Sequence, residues 1–252
     1  MIKIGPAGIG GIKEIESNFK YFSKNKIKAA EAAFTYGVYL KEKEAVKIGK
    51  LAKKLNISLS VHAPYWINLN SEEKIKVKKS KERILKAGFI GEKLGATHVV
   101  FHPGYYGKKS KEETYENIKN EILDLQKDFK KWKIKLAPET TGKVNVFGSI
   151  EEILQLVKDT KCSFCLDFAH LLARSQGKMS YGEMLKQFKK FKHIHAHFSG
   201  IEYSAKGERR HKKTPESEIK KLMKVVKGQN ITVINESPDM VNDVLSMISY
   251  LK

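Results

Sequence analysis

The chain predicts an α/β fold, one (β/α)8 barrel over residues 1–252, on three observations. Short apolar runs alternate along the whole sequence with longer, lysine-rich amphipathic segments. Eight such units can be traced, the number that closes a parallel barrel. Six of the runs finish on a histidine or a carboxylate: Val61-His62, Phe101-His102, Pro138-Glu139, Leu166-Asp167, Ala196-His197 and Asn235-Glu236. In such barrels the active site lies at the C-terminal ends of the strands, so these side chains should meet at one rim.

The first strand is expected at residues 3–6, directly at the start of the chain and with no signal peptide ahead of it. The remaining strands are expected at residues 29–35, 59–62, 98–102, 135–139, 163–167, 193–197 and 232–236. Helical segments fall between them at residues 42–55, 75–94, 111–131, 150–159, 181–190 and 215–226, and 239–251 closes the chain. Ala45, Ile48, Leu51, Ala52 and Leu55 repeat at helical spacing. Ser149 precedes Ile150 and has Glu152 three residues on, the pattern of a capping box. Pro215 and Pro238 stand where helices can begin. Residues 198–214 form the longest irregular stretch, and loops of that length are usually functional. No linker or repeat divides the chain, so a single domain is expected.

Hydrophobic residues make up 41% of the chain, enough for a core and against disorder. No apolar run is long enough to span a bilayer, which argues against a membrane partner. Two cysteines, Cys162 and Cys165, lie in one apolar run and should point to opposite faces of a strand. They read as small buried residues in a reducing, cytoplasmic setting rather than as a redox or zinc pair. The formal net charge of +20 suits a polyanionic partner such as nucleic acid. Lysines spread over nearly every helix, as a merely solvated surface would have them, fit the same charge.

His98 starts its strand and should lie at the opposite rim as a structural residue. His193, His195 and His197 share one parity; His197 is nearest the C-terminal rim, and His195 falls in a layer behind it. Glu139, Asp167 and Glu236 would be costly to bury unless paired or bound to metal. His170, three residues after Asp167, and His211 in the long loop add further ligands. The eight candidates are His62, His102, Glu139, Asp167, His170, His197, His211 and Glu236. That exceeds the four ligands of one zinc, so a cluster of two or three metals is expected. Zinc suits the mixture of imidazole and carboxylate, and manganese would be accepted as well. Tyr65 and Trp66 follow His62 and could stack on or wedge between bases.

These residues resemble the endonuclease IV family of apurinic/apyrimidinic endonucleases, zinc-dependent barrels of the xylose-isomerase-like superfamily. His62-Ala63-Pro64-Tyr65-Trp66-Ile67-Asn68 is similar to the family's His-x-x-Tyr-Leu-Ile-Asn segment. Phe101-His102-Pro103-Gly104, Pro138-Glu139-Thr140-Thr141, Leu166-Asp167-Phe168-Ala169-His170 and Asn235-Glu236-Ser237-Pro238 resemble its other strand endings. The resemblance covers essentially the whole chain. It implies that His62 and His102 hold one zinc and that Glu139 bridges to a second, completed by Asp167, His197 and Glu236. His170 and His211 would hold the third, and Glu139 would be the catalytic carboxylate. It implies further that Tyr65 and Trp66 enter the stack of double-stranded DNA at an abasic site, with Arg209 and Arg210 on phosphates and the chain acting as a monomer. In one departure, Arg209 stands where the family has an aspartate two residues before the histidine. Glu208 would substitute as a ligand if the loop shifts register. Two other readings are a single-metal sugar isomerase or epimerase of the same superfamily, and a barrel that binds damaged DNA without cutting it.

Overall fold

A computed structural model describes residues 1–251. Its strands in chain order are β1 (Ile2–Pro6), β2 (Ala29–Ala33), β3 (Ser58–His62), β4 (His98–Phe101), β5 (Lys135–Pro138), β6 (Leu166–Asp167), β7 (Ile194–Phe198), β8 (Gly200–Ser204), β9 (Gly207–Lys212) and β10 (Ile231–Asn235). The helices are α1 (Ile15–Lys24), α2 (Glu42–Lys54), α3 (Lys74–Leu94), α4 (Lys111–Phe129), α5 (Ile150–Thr160), α6 (Phe168–Arg174), α7 (Tyr181–Gln187), α8 (Glu216–Val226) and α9 (Met240–Ser249). All barrel strands pair parallel, in the orders β1-β10-β7-β6 and β2-β3-β4-β5.

Two seams close these half-sheets into a (β/α)8 barrel. At one, Ser163 N donates to Leu136 O at 2.9 Å and Cys165 N to Pro138 O at 3.0 Å, joining β5 to the run that leads into β6. At the other, Lys28 N donates to Ile4 O at 3.1 Å. There β1 and β2 approach so closely that a Cβ on Gly5 would lie 1.7 Å from Ala29 O. Only glycine fits that crossing.

The helices bury the faces their spacing specifies. In α2, Ala45, Ile48 and Ala52 face the core while the lysines stay outside. Ser149 accepts from Glu152 N, and Glu152 Oε2 accepts from Ser149 N at 2.8 Å, so the expected capping box forms at α5; such a cap is worth about 1 kcal/mol. Cys162 packs in the outer core between sheet and helices. Cys165 lies inside the barrel with Val100 and Ala137, so the two thiols do face opposite ways and are free.

Three elements depart from the reading of the sequence. Helix α1 fills the first connection, where no helical segment was delimited. Helix α6 begins directly after Asp167, leaving β6 only two residues long. Residues 198–214 are not irregular: most of them form the antiparallel hairpin β8–β9. None of the helices among the described residues is long and apolar enough to cross a membrane.

His98 lies at the N-terminal rim, its Nδ1 2.9 Å from Thr97 Oγ1 and its Nε2 3.0 Å from Ser163 Oγ. Its ring stacks on that of His195 at 4.8 Å between centroids. Burial and the neighbouring His195 and His193 hold its pKa well below the ordinary histidine value. The folded state therefore takes up this proton less readily than the unfolded chain. Stability is retained above the unfolded pKa, about 6.5, and falls as pH drops below it. We expect urea unfolding at pH 7 and pH 5 to show a smaller loss of stability on acidification in His98→Gln than in the wild type. Equal losses would show that His98 carries none of the dependence.

Candidate metal centre

The strand endings foreseen from the sequence meet at the C-terminal mouth of the barrel, around Glu139. This carboxylate, just beyond β5, is fully buried. Its Oε2 is 2.9 Å from His102 Nε2 and 3.2 Å from His62 Nε2. Its Oε1 is 2.8 Å from His197 Nδ1 and 3.8 Å from His170 Nδ1. One group of potential ligands is thus His62, His102 and Glu139, and a second is Glu139, Asp167, His197 and Glu236. Glu139 belongs to both, one oxygen facing each.

A third group is His170, Glu208 and His211, with Glu208 Oε2 3.4 Å from His170 Nε2 and Oε1 3.8 Å from His211 Nε2. Residues three apart on a regular strand face opposite ways. The hairpin overcomes this with a bulge: Glu202 pairs with Arg210 and Tyr203 with Glu208, leaving Arg209 as the extra residue. Glu208 and His211 consequently share the face toward the barrel, while Arg209 and Arg210 are exposed. The hairpin docks through two glycines, for Glu208 N donates to Gly142 O at 3.1 Å. A Cβ on Gly207, which has φ +93°, would lie 2.2 Å from Gly142 O, and one on Gly142 would lie 2.8 Å from Glu208 Oε2. Glu208 therefore stands beside His170 and His211 although position 209 holds no aspartate.

The residues fit metal ions by two further tests. First, Glu139 Oε1, Asp167 Oδ2 and His197 Nδ1 are buried and make no hydrogen bond, although the first and last lie 2.8 Å apart. They converge on common space rather than on each other. Second, in three of the histidines the ring nitrogen turned away from its own ligand group is already engaged: His62 Nδ1 with Ala63 O at 2.7 Å, His170 Nδ1 with Thr140 O at 3.0 Å and His211 Nδ1 with Ser199 Oγ at 2.7 Å. Each leaves Nε2 free to coordinate, the arrangement metal-binding histidines adopt.

Electrostatics point the same way. Burial disfavours a charged His62, yet Glu139, Glu31 and Glu236 hold its pKa up at about 9. Asp167, Glu208 and Glu139 hold His170 at about 10 against the same burial. Burial pushes Asp167 up to about 6, against the pull of His170. Without cations, the cluster thus keeps protons on imidazoles that metal ions would displace.

Tyr65 and Trp66 stand on the rim after β3, 57% and 64% exposed. Arg210 is drawn away from the centre, its Nε 2.8 Å from Glu202 Oε2 across the hairpin. The sequence reading missed two exposed rim aromatics, Tyr36 after β2 and Tyr105 after β4. It also missed Glu31, buried on β2 beneath the ligands. Glu31 carried a readable signal, an acid inside the apolar run Ala29-Ala30-Glu31-Ala32-Ala33. A cleft of about 260 Å³ opens over the centre, lined by His62, His102, His170, Glu208, His211 and Glu236 together with Tyr65, Tyr105 and Lys143. A larger cavity at the opposite rim, around His98 and Trp132, holds none of the ligand groups.

The family model of the xylose isomerase-like TIM barrel matches residues 19–240. The chain belongs to this family. An uncharacterized protein of Methanocaldococcus jannaschii is 37% identical over 98% of this chain and 96% of its own length. A probable endonuclease 4 of Thermoplasma volcanium is 32% identical over 62% of this chain, a match spanning 53% of that relative. The chain therefore resembles the endonuclease IV group in sequence while aligning with about half the length of that relative. In fold it superimposes on endonuclease IV from Thermus thermophilus with a TM-score of 0.72 at 18% identity, covering 99% of this chain and 98% of the other. The structure titled SacUVDE gives 0.76 at 15% identity, covering 99% and 97%. A D-tagatose 3-epimerase-like protein gives 0.73 at 21% identity with the same coverages. These structural likenesses establish the barrel shared by the xylose isomerase-like family.

Two outcomes follow for this family member. Added zinc would have to displace the protons held on His62 and His170, so its binding at pH 7.5 should release protons, and affinity should rise with pH up to about 10. Calorimetry in buffers of different ionisation enthalpy reads this; a buffer-independent heat would contradict it. Glu208→Ala should lower bound metal by one ion per chain, while Arg209→Ala leaves the count unchanged by elemental analysis.

Proposed function

We propose that this chain is a metal-dependent hydrolase that cuts the phosphodiester 5′ to abasic sites in double-stranded DNA. The observation that carries the reading is the third ligand group, His170-Glu208-His211, beside the other two. A sugar epimerase of this family would be served by Glu139, Asp167, His197 and Glu236 alone. The remaining ligands would then be idle.

Two or three zinc ions, or manganese in their place, would supply Lewis acidity that activates a water and offsets phosphate charge. The chain's own residues divide the remaining work. Glu139, with an oxygen toward each of two ligand groups, is placed to orient the attacking water and take its proton. Lys143, in the wall of the cleft, supplies positive charge for a flanking phosphate. A cleft of about 260 Å³ has room for a phosphate and its sugar but not for a stacked base pair. That size favours a nucleotide turned out of the duplex and lacking its base. Tyr65 and Trp66 would fill the gap left in the stack. The net charge of +20 supports a polyanionic partner.

An abasic-site duplex should be nicked on the 5′ side in the presence of zinc or manganese and left intact after chelation. Conversion of ketoses to their C3 epimers, with no nicking, would favour the epimerase. Tight binding of abasic duplex without cleavage under any added metal would favour the non-cleaving reading. Trp66→Ala should weaken binding of the abasic duplex about tenfold, within the ~1–3 kcal/mol assigned to a stacked base. Unchanged affinity by fluorescence anisotropy would remove Trp66 from the interface.

A further inference from the structure

Directly beneath the metal ligands, the barrel holds a carboxylate that the centre itself does not use. Glu31 lies on β2, fully buried. Strand register places it beside Ser60 of β3, whose Oγ donates to Glu31 Oε2 at 2.7 Å. Among the described residues its ion-pair partners are both imidazoles: His195 Nε2 at 3.5 Å and His197 Nε2 at 3.2 Å. A buried carboxylate of this kind is costly unless its partners repay the lost hydration.

The orientation of His197 sets it apart from the other ligands. His62, His170 and His211 turn Nδ1 to a neutral oxygen and Nε2 to the centre. His197 is reversed. Its Nδ1 is 2.8 Å from Glu139 Oε1 and 3.3 Å from Glu236 Oε1, while its Nε2 is hydrogen-bonded to Glu31 Oε2 at 3.3 Å. Among these four rings, only His197 has the nitrogen turned from its own ligand group hydrogen-bonded to a carboxylate. A neutral imidazole carries one N–H, so an acceptor at Nε2 decides which nitrogen is free to coordinate.

We infer that Glu31 is a positioning residue for the metal centre: its carboxylate holds His197 in the Nε2–H tautomer, aims Nδ1 at the space shared with Glu139 and Glu236, and makes that nitrogen a stronger donor. Ser60 fixes the carboxylate in turn. Because Glu31 is held by residues of β3 and β7, the aim of His197 is set inside the barrel and does not depend on the surface loops. The inference rests on the metal-centre reading and not on the identity of the substrate.

Zinc retention against a competing chelator, read with a metallochromic dye, tests it together with nitrogen-15 NMR of the histidine side chains. Loss of an anionic partner of this kind typically costs 10- to 100-fold in metal affinity. Glu31→Leu should weaken the affected ion within that range and leave the coordinating nitrogen of His197 mixed between Nδ1 and Nε2 in the zinc-loaded protein. Glu31→Gln keeps the shape and a neutral acceptor, so it should preserve the tautomer but lose about tenfold in affinity; it also serves if the leucine variant does not fold. Wild-type zinc retention in Glu31→Gln would overturn the inference, as would an unchanged coordinating nitrogen of His197 in folded, zinc-loaded Glu31→Leu. Cobalt-loaded protein adds a spectroscopic arm, because Cys165, His195 and His197 also come within coordinating distance of one another. No thiolate-to-cobalt charge-transfer band is expected. Such a band would replace the positioning role with an ion on Cys165. Failure to nick abasic DNA, with the zinc result as expected, would sink the proposed function and leave Glu31's role standing.

Discussion

The carboxylate of Glu139 sits without solvent exposure among four imidazoles, with its two oxygens divided between them. A charge in that position is unfavourable unless opposite charge surrounds it. In the metal-free chain, burial pushes this carboxyl up, but His197 and His102 outweigh it and hold it well below the usual range. Cations would take over the same task. The arrangement of the barrel mouth follows from that requirement. Six parallel strands must end at one level, and each must present its final side chain inward.

Parallel strand polarity meets the requirement for two ligand groups but not for the third. No barrel strand ends on His170, Glu208 or His211, and β7 has already been used for His197. The chain reaches the third position with a helix on one side and a hairpin on the other. Asp167 caps α6, its Oδ1 accepting from His170 N at 2.7 Å, so one residue both faces the centre and orients the next ligand. The bulge at Arg209 then places Glu208 and His211 on a common face. A regular hairpin would point one of them to solvent.

Much of this was legible in the sequence, because it depends on local periodicity. Apolar runs ending in His62, His102, Glu139, Asp167 and Glu236 specify strand, polarity and rim at once. Position along one strand face separated His197 from His195, and parity placed Cys162 and Cys165 on opposite faces. What stayed hidden depends on contacts between distant segments. Arg209 looked like a defect in the third group, because a bulge is defined by the partner strand and leaves no mark on spacing. Helix α6 was missed, since Asp167 had been assigned to the end of a strand and its capping bond emerges only in three dimensions. Glu31 passed unremarked because its partners, Ser60, His195 and His197, come from other strands.

The central claim is that three ligand groups, two of them sharing Glu139, hold separate ions. Anomalous diffraction from crystals grown with zinc, collected on both sides of the zinc absorption edge, tests it most directly. The account predicts three peaks: one beside His62 and His102, one beside Asp167, His197 and Glu236, and one between His170, Glu208 and His211. A single peak among Glu139, Asp167, His197 and Glu236, with Glu208 turned away, would contradict it.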